Sequence, residues 1–496
     1  MTEVNPLPTI VIGSGIGGLS AAIRLQHAGH RVVILEKNPI VGGKMYQLED
    51  KGFRFDTGPS VITMRHVFED LFSDVGRSLD DYLDLVAVDP MTRYFYRDGF
   101  VLDATSDISQ MAHQIEALDE RDVEGYLRYV AYAAKLHRIT GETFIYGQPP
   151  TLLDFLKVPV WQWMQADPMR TMQGAIKSFV KSPKLRQLLG RFATYVGGSP
   201  YLAPATLNVI AHVELTGGVW YPRGGIYEIA KAMEKLATEL GVEICTNCAV
   251  EKICVQDERV NGVWLANGDT MPARVVVSNV DVAMTYHTML EDSGIPQERI
   301  AKMSGYEPSC SGFIMLLGVD GRFDELAHHN IFFSDDYEAE FKAIFKAGVP
   351  PVDPTIYVSI SAKTDADHAP EGCENWFVLV NAPPTNEHYD WEANKADYAN
   401  MILNRLADAG IDVRDSIITQ TIWTPDDLER NSGAWRGALY GPSANDKFAV
   451  FLRPHNRSQD VEGLYFAGGT THPGGGVPMV TLSGKVAADM VIADGV

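Results

Sequence analysis

The first part of the chain alternates apolar runs with a glycine-rich break. Thr9 to Ile12 is a short β-branched apolar run, which predicts a buried strand. A helix-like stretch begins near Ile16, and Val32 to Leu35 form a second apolar run. Strand, helix and returning strand together indicate a β-α-β unit with its two strands parallel.

Three glycines lie in the turn between the first strand and the helix. Gly13, Gly15 and Gly18 form the pattern G-x-G-x-x-G, which permits a tight turn, close approach of a pyrophosphate and close packing of the helix on the strand. The positive end of the helix would face that pyrophosphate. Glu36, at the end of the second strand, is placed to accept hydrogen bonds from a ribose. The unit predicts dinucleotide binding over its alternative, a glycine-rich turn without a ligand.

The segment that follows favours a flavin over a nicotinamide. Residues 41–60 read "VGGKMYQLEDKGFRFDTGPS", with Gly42-Gly43-Lys44 allowing a second close backbone approach beside a cation and Gly58-Pro59 following a strand-like run. A nicotinamide domain does not need this extension, whereas a flavin bound along its whole length does. We therefore predict FAD.

The remaining chain divides into alternating segments. Residues 221–299 predict a helix, a strand and a β-meander, and residues 463–496 predict a strand, a glycine-rich loop and a helix. Between them lie helix-rich aromatic stretches and strand-like runs separated by prolines. The predicted fold is α/β: a discontinuous Rossmann-like FAD-binding domain plus an α+β substrate domain with a helical membrane-facing part. The predicted boundaries are 1–79, 221–299 and 451–496 for the FAD-binding domain, and 80–220 and 300–450 for the substrate domain.

Composition narrows the class of protein. A chain of 496 residues predicts two domains. The formal charge of −22 argues against nucleic acid as a partner. Five cysteines and a polar start without a signal peptide predict reduced thiols in the cytoplasm. No apolar run approaches the roughly 18 to 20 residues of a spanning helix.

Six further motifs carry a resemblance to a known family. The chain resembles the bacterial-type phytoene desaturases of the flavin amine oxidase superfamily through "FLRPHNR" (451–457), "LYFAGGTTHPGGGVP" (464–478), "VGGSP", "GGVWYPRGG", "LAHHNIFF" and "APEGCENWFVLV". The first two motifs are specific to this branch, in which they occur in enzymes acting on different carotenoids. Lys44 departs from the commoner arginine, which keeps the charge and loses planar bidentate geometry.

The resemblance implies FAD contacts from three separated stretches. The backbone near Val250 is expected at the adenine, and the C-terminal helix is expected to point at the flavin end. The predicted cofactor-binding residues are Gly13, Gly15, Gly18, Glu36, Lys37, Gly43, Lys44, Gly58, Pro59, Val250, Gly468, Gly469, Gly476, Val477 and Met479.

Residues 151–191 combine an apolar front with a cationic stretch. This pattern is typical of docking on an anionic leaflet, and a solvated helix face beside a core-facing stripe is the alternative. With the resemblance, we expect peripheral association with the inner face of the cell membrane. The front comprises Leu152, Leu153, Phe155, Leu156, Trp161, Trp163 and Met164, and the cations are Arg170, Lys177, Lys181, Lys184, Arg186 and Arg191.

Candidate proton-transfer residues lie in the same stretch. Asp167, Arg170 and Thr171 would lie about one turn apart in a helix, with the carboxylate taking a proton and the arginine holding it ionised. A surface ion pair is the alternative. His455 and His472 are expected to form hydrogen bonds near the flavin end. "HHN" at 328–330 lacks companion ligands, so no metal is predicted.

These observations lead to one hypothesis and two alternatives. The hypothesis is FAD-dependent desaturation of a linear carotenoid, phytoene toward neurosporene or lycopene, with quinone or dioxygen as electron acceptor. One alternative keeps the chemistry but changes the substrate to a hydroxylated carotenoid or to the terminal methyl of a shorter one. The other is a non-catalytic isoprenoid-lipid-binding protein on the same fold. The motifs leave the carotenoid, the number of steps and the electron acceptor open.

Overall fold

The computed structural model describes residues 7–141, 145–150, 165–446 and 453–495. The strands are Thr9–Ile12 (β1), Val32–Leu35 (β2), Tyr46–Asp50 (β3), Phe53–Thr57 (β4), Leu85–Ala87 (β5), Thr92–Phe95 (β6), Val101–Ala104 (β7), Trp220–Pro222 (β8), Glu243–Cys245 (β9), Val250–Gln256 (β10), Arg259–Leu265 (β11), Thr270–Met271 (β12), Val275–Ser278 (β13), Ser311–Asp320 (β14), His329–Phe332 (β15), Ile356–Ser359 (β16), Cys373–Ala382 (β17), Ile417–Trp423 (β18) and Leu464–Phe466 (β19).

The α-helices among these residues are Ile16–His27 (α1), Arg65–Ser73 (α2), Ile108–Asp119 (α3), Val123–Thr140 (α4), Met172–Phe179 (α5), Pro183–Gly190 (α6), Val209–Gly217 (α7), Glu228–Leu240 (α8), Val282–Met284 (α9), Gln297–Ser304 (α10), Tyr337–Lys342 (α11), Trp391–Asp408 (α12), Pro425–Ser432 (α13) and Val477–Asp494 (α14). Within the described ranges, no helix combines the length and the apolar character that crossing a bilayer requires.

A five-stranded parallel sheet forms the centre of the N-terminal part. Its order is β19-β13-β1-β2-β9. β1, β2, β13 and β19 are buried along their whole length, as expected for a parallel sheet covered on both faces. α1 and α14 pack closely, since a Cβ at Gly484 would lie 2.3 Å from the Gly17 carbonyl oxygen. Strands from three separated segments share this sheet, which confirms the predicted discontinuous Rossmann-like fold.

The predicted β-meander is also present. β10, β11 and β12 form an antiparallel sheet. The turn between β10 and β11 places Asp257 and Glu258 at φ values of 50° and 60°. Two successive residues in the left-handed region are typical of the type I′ turn that two-residue hairpins favour.

The second large sheet has seven strands. Its order is β18-β14-β17-β16-β15-β6-β7, with antiparallel neighbours except for the parallel pair β15 and β6. α12 covers one face, where the rings of Phe313 and Trp391 lie 5.5 Å apart. The two segments predicted for the substrate domain both contribute strands to this sheet, so helices do pack over a sheet there. The domain boundaries themselves stay predictions.

Candidate cofactor and active site

The first glycine-rich loop lies where β1 ends, at the carboxyl edge of the parallel sheet. Gly13 has a φ of 90°, a conformation that glycine adopts without strain. Its amide donates to the Leu35 carbonyl at 2.8 Å, which ties the loop to β2. A Cβ at Gly18 would lie 2.2 Å from the Gly13 carbonyl oxygen, so only glycine lets α1 pack this closely.

Glu36 holds this loop in place. Its carboxylate is buried and accepts hydrogen bonds from the Ser14 amide at 2.8 Å, the Ser14 hydroxyl at 2.7 Å and the Asn38 amide at 2.9 Å. Each carboxylate oxygen has two lone pairs, so these bonds leave acceptor capacity for a ribose. The residue predicted to bind a ribose therefore also positions the phosphate loop.

Asn279 is a site residue that sequence reasoning missed. It follows β13, and its side chain lies among the loop glycines. A Cβ at Gly15 would lie 2.6 Å from Asn279 Nδ2, and one at Gly17 would lie 2.7 Å from Asn279 Oδ1. The available signal was a polar residue directly after a buried run, because the carboxyl edge of a parallel sheet is where ligands bind.

The two glycine-rich loops and the C-terminal loop meet at one point. Gly15 and Gly42 form a parallel bridge, and a Cβ at Gly43 would lie 3.1 Å from Gly15 Cα. A Cβ at Gly468 would lie 3.0 Å from the side-chain oxygen of Asn279. The structure therefore brings Gly15, Gly43 and Gly468 together, as a cofactor spanning all three segments requires.

The remaining predicted cofactor residues lie in several different elements. Gly476 precedes α14 with a φ of 102°, so Val477 begins a helix whose N-terminus, like that of α1, favours an anion. Met479 packs in a small apolar cluster with Met64, Val67 and Leu482. Lys37 is exposed, Gly58, Pro59 and Gly469 lie in half-buried loops, and Val250 begins β10 opposite Leu265.

Charged side chains border the region beside the loops, which is called the cofactor cleft below. The Lys44 side chain is open to solvent, yet protein surrounds it, and its Nζ lies 3.3 Å from the Leu439 carbonyl oxygen. Burial lowers the pKa of Lys44, and the nearby Asp281 carboxylate opposes that effect. Tyr306 donates its hydroxyl to Asp281 at 3.4 Å. The Lys44 ammonium group would favour a bound anionic group at the flavin end of the cofactor site.

Arg453, from the branch-specific motif, is the second cation of the cleft. Its Nη1 donates to the carbonyl oxygens of Tyr440 at 3.2 Å and Gly469 at 3.1 Å. Burial lowers the pKa of Arg453 to about 10. Three glycine loops that a Cβ would obstruct, two helix N-termini and two cations fit a dinucleotide that carries a pyrophosphate.

Both histidines predicted to form hydrogen bonds near the flavin end form hydrogen bonds with the protein backbone, and their position relative to the flavin stays a prediction. His472 contacts the Gly147 carbonyl oxygen through Nε2 at 3.0 Å, and burial lowers its pKa to about 4. His455 Nδ1 accepts from the Arg457 amide at 3.0 Å. The contact of His472 ties the C-terminal loop to residues 145–150.

The helical geometry predicted for Asp167, Arg170 and Thr171 is wrong. Asp167 has a φ of 54°, and Pro168 after it disfavours helix at that position. Arg170 pairs with the Asp167 carboxylate, its Nε lying 3.0 Å from Oδ2, and Tyr132 donates to the same oxygen at 2.7 Å. Thr171 caps α5 by accepting from the Gly174 amide at 3.0 Å. The contacts match the surface ion-pair alternative, and a catalytic role stays a prediction.

The cationic stretch divides into exposed and buried members. Arg170, Lys177 and Lys181 are exposed, whereas Lys184 pairs with Asp98 and Arg186 donates to the Val180 carbonyl oxygen. Including Arg191 in a docking surface is wrong, because its guanidinium is buried. The predicted apolar front, residues 152 to 164, lies outside the described residues.

Arg191 belongs to a buried ionic cluster. It pairs with Glu214, donates from Nε to the Tyr94 hydroxyl at 2.5 Å and lies over the rings of Tyr94, Phe192 and Tyr195. Tyr195 donates its hydroxyl to the other Glu214 oxygen. A buried charge is tolerated only when it is paired and hydrogen-bonded, which explains why this cation lies inside.

The two adjacent histidines make hydrogen bonds to hydroxyls. His328 Nδ1 lies 2.6 Å from Thr364 Oγ1, and His329 Nδ1 lies 2.8 Å from the Tyr357 hydroxyl. Across the described ranges, no three His, Cys, Asp or Glu side chains are grouped as metal ligands.

Comparison with known proteins agrees with a dinucleotide-binding site at these loops. The family of flavin containing amine oxidoreductases matches residues 16–492. The chain is 40% identical over 491 residues to 4,4'-diapolycopene oxygenase of Methylomonas sp., covering 98% of each chain. It is 39% identical over 487 residues to 4,4'-diaponeurosporene oxygenase of Staphylococcus haemolyticus, covering 98% of this chain and 97% of the relative.

Solved structures share the fold. An oxidoreductase from Methanosarcina mazei superposes with a TM-score of 0.64 at 19% identity, covering 98% of this chain and 100% of the other. The resemblance to the flavin amine oxidase superfamily and its carotenoid branch is thus confirmed. The chain belongs to the flavin containing amine oxidoreductase family, and its cofactor is FAD.

Proposed function

We propose that this protein is an FAD-dependent oxidase of linear carotenoids that introduces oxygen at the end of a 4,4'-diapocarotenoid. The observation that carries the proposal is the identity of 40% and 39%, over nearly the whole chain, to two proteins named as oxygenases of 4,4'-diapolycopene and 4,4'-diaponeurosporene. This replaces phytoene as the first candidate substrate and adopts the terminal-oxidation alternative.

Desaturation of phytoene is the second candidate. It is supported by the motif that contains Arg453 and by the C-terminal glycine-rich motif, both of which resemble the desaturase branch. Both reactions begin with removal of hydride from a carbon beside the polyene, which leaves an allylic cation on the substrate. Loss of a proton then gives a new C=C bond, whereas addition of water followed by loss of a proton gives an alcohol.

The roles of protein and cofactor are separate in either reaction. Bound FAD would accept the hydride, and the protein supplies binding and orientation. The glycine loops would hold the pyrophosphate, and Lys44 and Arg453 would face the flavin end. Asn456 keeps the C-terminal loop in shape, because its buried amide donates to the carbonyl oxygens of Phe466 at 3.0 Å and His472 at 3.1 Å. Each hydride removal also releases one proton in the cleft, and that proton needs an acceptor.

We also propose that the protein loads its substrate from the inner face of the cell membrane, with quinone or dioxygen reoxidising the flavin. Exposed Arg170, Lys177 and Lys181, beside the 73% exposed Met169, support this proposal. Binding to anionic liposomes should weaken with salt and in a Lys177→Glu/Lys181→Glu variant. Flotation that ignores both treatments would place the docking surface elsewhere.

The function is tested by pigment analysis. The chain is expressed separately in cells that accumulate phytoene, 4,4'-diaponeurosporene or 4,4'-diapolycopene, with Gly15→Val as the flavin-free control. We expect oxygenated products from the two diapocarotenoids, and labelled water or labelled dioxygen identifies the source of the oxygen. Conversion of phytoene alone would establish the desaturase candidate. Inertness toward all three, with flavin bound, would refute both candidates.

A further inference from the structure

Two groups of hydrogen-bonded polar side chains lie beside the predicted cofactor residues Gly58 and Pro59 and line one small cavity. Gly58 lies against Lys44, since a Cβ at Gly58 would lie 2.2 Å from the Lys44 carbonyl oxygen. Two residues later, Ser60 Oγ accepts from the Tyr357 hydroxyl at 2.8 Å. Ser60 directly follows the predicted cofactor residues Gly58 and Pro59, so the Ser60–Tyr357 pair adjoins the cofactor site.

Ser60 also lines a cavity of about 10 Å³. That volume suits a single water molecule, which needs two to four polar partners. The polar residues that line it are Asp56, Ser60, Tyr221, Ser359, Ser361 and Asn375.

Tyr221, which also lines this cavity, contacts two titratable groups. Its hydroxyl donates to Asp56 Oδ2 at 2.6 Å and lies 3.4 Å from His368 Nδ1. Ser361 Oγ lies 2.8 Å from the same His368 nitrogen. Burial raises the pKa of Asp56 and lowers that of His368, so the proton affinities of the two groups approach each other.

This set of polar side chains ends near solvent, at Asp365. His368 is fully buried, its Nε2 has no hydrogen-bond partner, and that nitrogen lies 3.6 Å from Asp365 Oδ2. The Asp365 side chain is 15% exposed and accepts from the Gly224 amide at 2.7 Å. A small movement of Asp365 would bring its carboxylate within hydrogen-bond distance of His368 Nε2. His368 Nε2 therefore has an unused hydrogen-bonding position on the side of Asp365.

We propose that Asp56, Tyr221 and His368 form a proton relay between the cofactor cleft, at Ser60 and Tyr357, and solvent at Asp365. The proposal rests on the proposed function, because oxidation of a carbon by hydride removal leaves one proton in the cleft. Each group in the relay accepts one proton and passes one on, so none changes its net protonation. These residues are positioned to move the proton, not to contact the substrate.

The test uses the holoenzyme without carotenoid. Reduction of bound FAD by dithionite brings in two electrons, and the reduced cofactor takes up one proton, which the relay supplies. The rate of flavin bleaching is measured in H2O and in D2O for the wild type, Tyr221→Phe and His368→Gln. Tyr398→Phe is the matched control, because its buried hydroxyl donates only to the Pro351 carbonyl oxygen at 3.1 Å, away from the relay.

We expect bleaching in Tyr221→Phe and His368→Gln to be at least about tenfold slower than in the wild type, with a larger solvent isotope effect. The control should behave as the wild type, and flavin content and melting temperature are recorded for every variant. If both relay variants bleach at the wild-type rate in H2O and in D2O, the relay is overturned. Loss of FAD from both would also overturn it, by assigning these groups to cofactor binding. Slow bleaching in variants of a protein that oxidises no carotenoid would reject the proposed function and leave the relay standing.

Discussion

The cofactor loops and the helical region around Asp167 are fixed in different ways. The loops are set by backbone geometry, since a Cβ at Gly15, Gly18 or Gly43 would meet neighbouring atoms at 2.6, 2.2 or 3.1 Å. The helical region is held by side-chain pairs such as Asp167 with Arg170 and Arg191 with Glu214. The loops therefore depend on the absence of side chains, whereas the helical region depends on the charges of particular side chains.

The largest effect should come from Gly15→Val. Its side chain would collide with Asn279 Nδ2, 2.6 Å from the Cβ position, and occupy the path of the pyrophosphate. We expect apoprotein, measured as flavin absorbance per chain. Gly217→Val is the matched control, because no atom lies within 4 Å of its Cβ position. Stoichiometric flavin in Gly15→Val would show that the loop does not hold the cofactor.

The two arginine pairs should respond very differently to the same substitution. Arg191→Met leaves Glu214 buried and unpaired, so we expect a loss of about 3–5 kcal/mol in the free energy of unfolding by denaturant. Arg170→Met removes a pair whose arginine is 45% exposed, so the loss should stay within about 1 kcal/mol. The double variant Arg191→Met/Glu214→Leu should recover most of the loss. Equal costs for the two single variants would contradict the contrast.

Acid should weaken the contact between the C-terminal loop and residues 145–150. The folded-state pKa of His472, about 4, lies below the ordinary value of 6.5. The neutral ring is thus favoured by folding, and its contribution is present above pH 6.5 and lost as pH falls toward 4. That contribution is about 3 kcal/mol at most. Between pH 6.5 and pH 4, the free energy of unfolding should fall by up to this amount more in the wild type than in His472→Gln. If the two proteins lose stability in parallel, the lowered pKa of His472 does not contribute.

The smallest effect should come from Asp167→Asn. The contacts of Asp167 are those of a partly exposed ion pair, so stability should change by no more than about 1 kcal/mol and turnover should stay near that of the wild type. Steady-state kinetics on the best carotenoid substrate provide the measurement. A fall in turnover of about 100-fold or more would instead establish Asp167 as the proton acceptor.

The same contrast explains what the sequence could predict. Strands β1 and β2, helix α1 and the three-segment sheet followed from local patterns, because glycine spacing and buried apolar runs constrain the backbone directly. Asn279 was missed although it directly follows a buried run, and the Asp56–Tyr221–His368 set could not be assigned, since its members lie up to about 310 residues apart and meet only in the folded protein. The wrong helix at Asp167 has a local cause, the proline that follows it.

The oxidation of a linear carotenoid by FAD bound at these loops is tested most directly by anaerobic mixing of the purified holoenzyme with 4,4'-diaponeurosporene in liposomes. We expect the flavin to bleach without any added reductant and oxidised carotenoid to appear in equal amount. A flavin that stays oxidised with 4,4'-diaponeurosporene, 4,4'-diapolycopene and phytoene alike would contradict it.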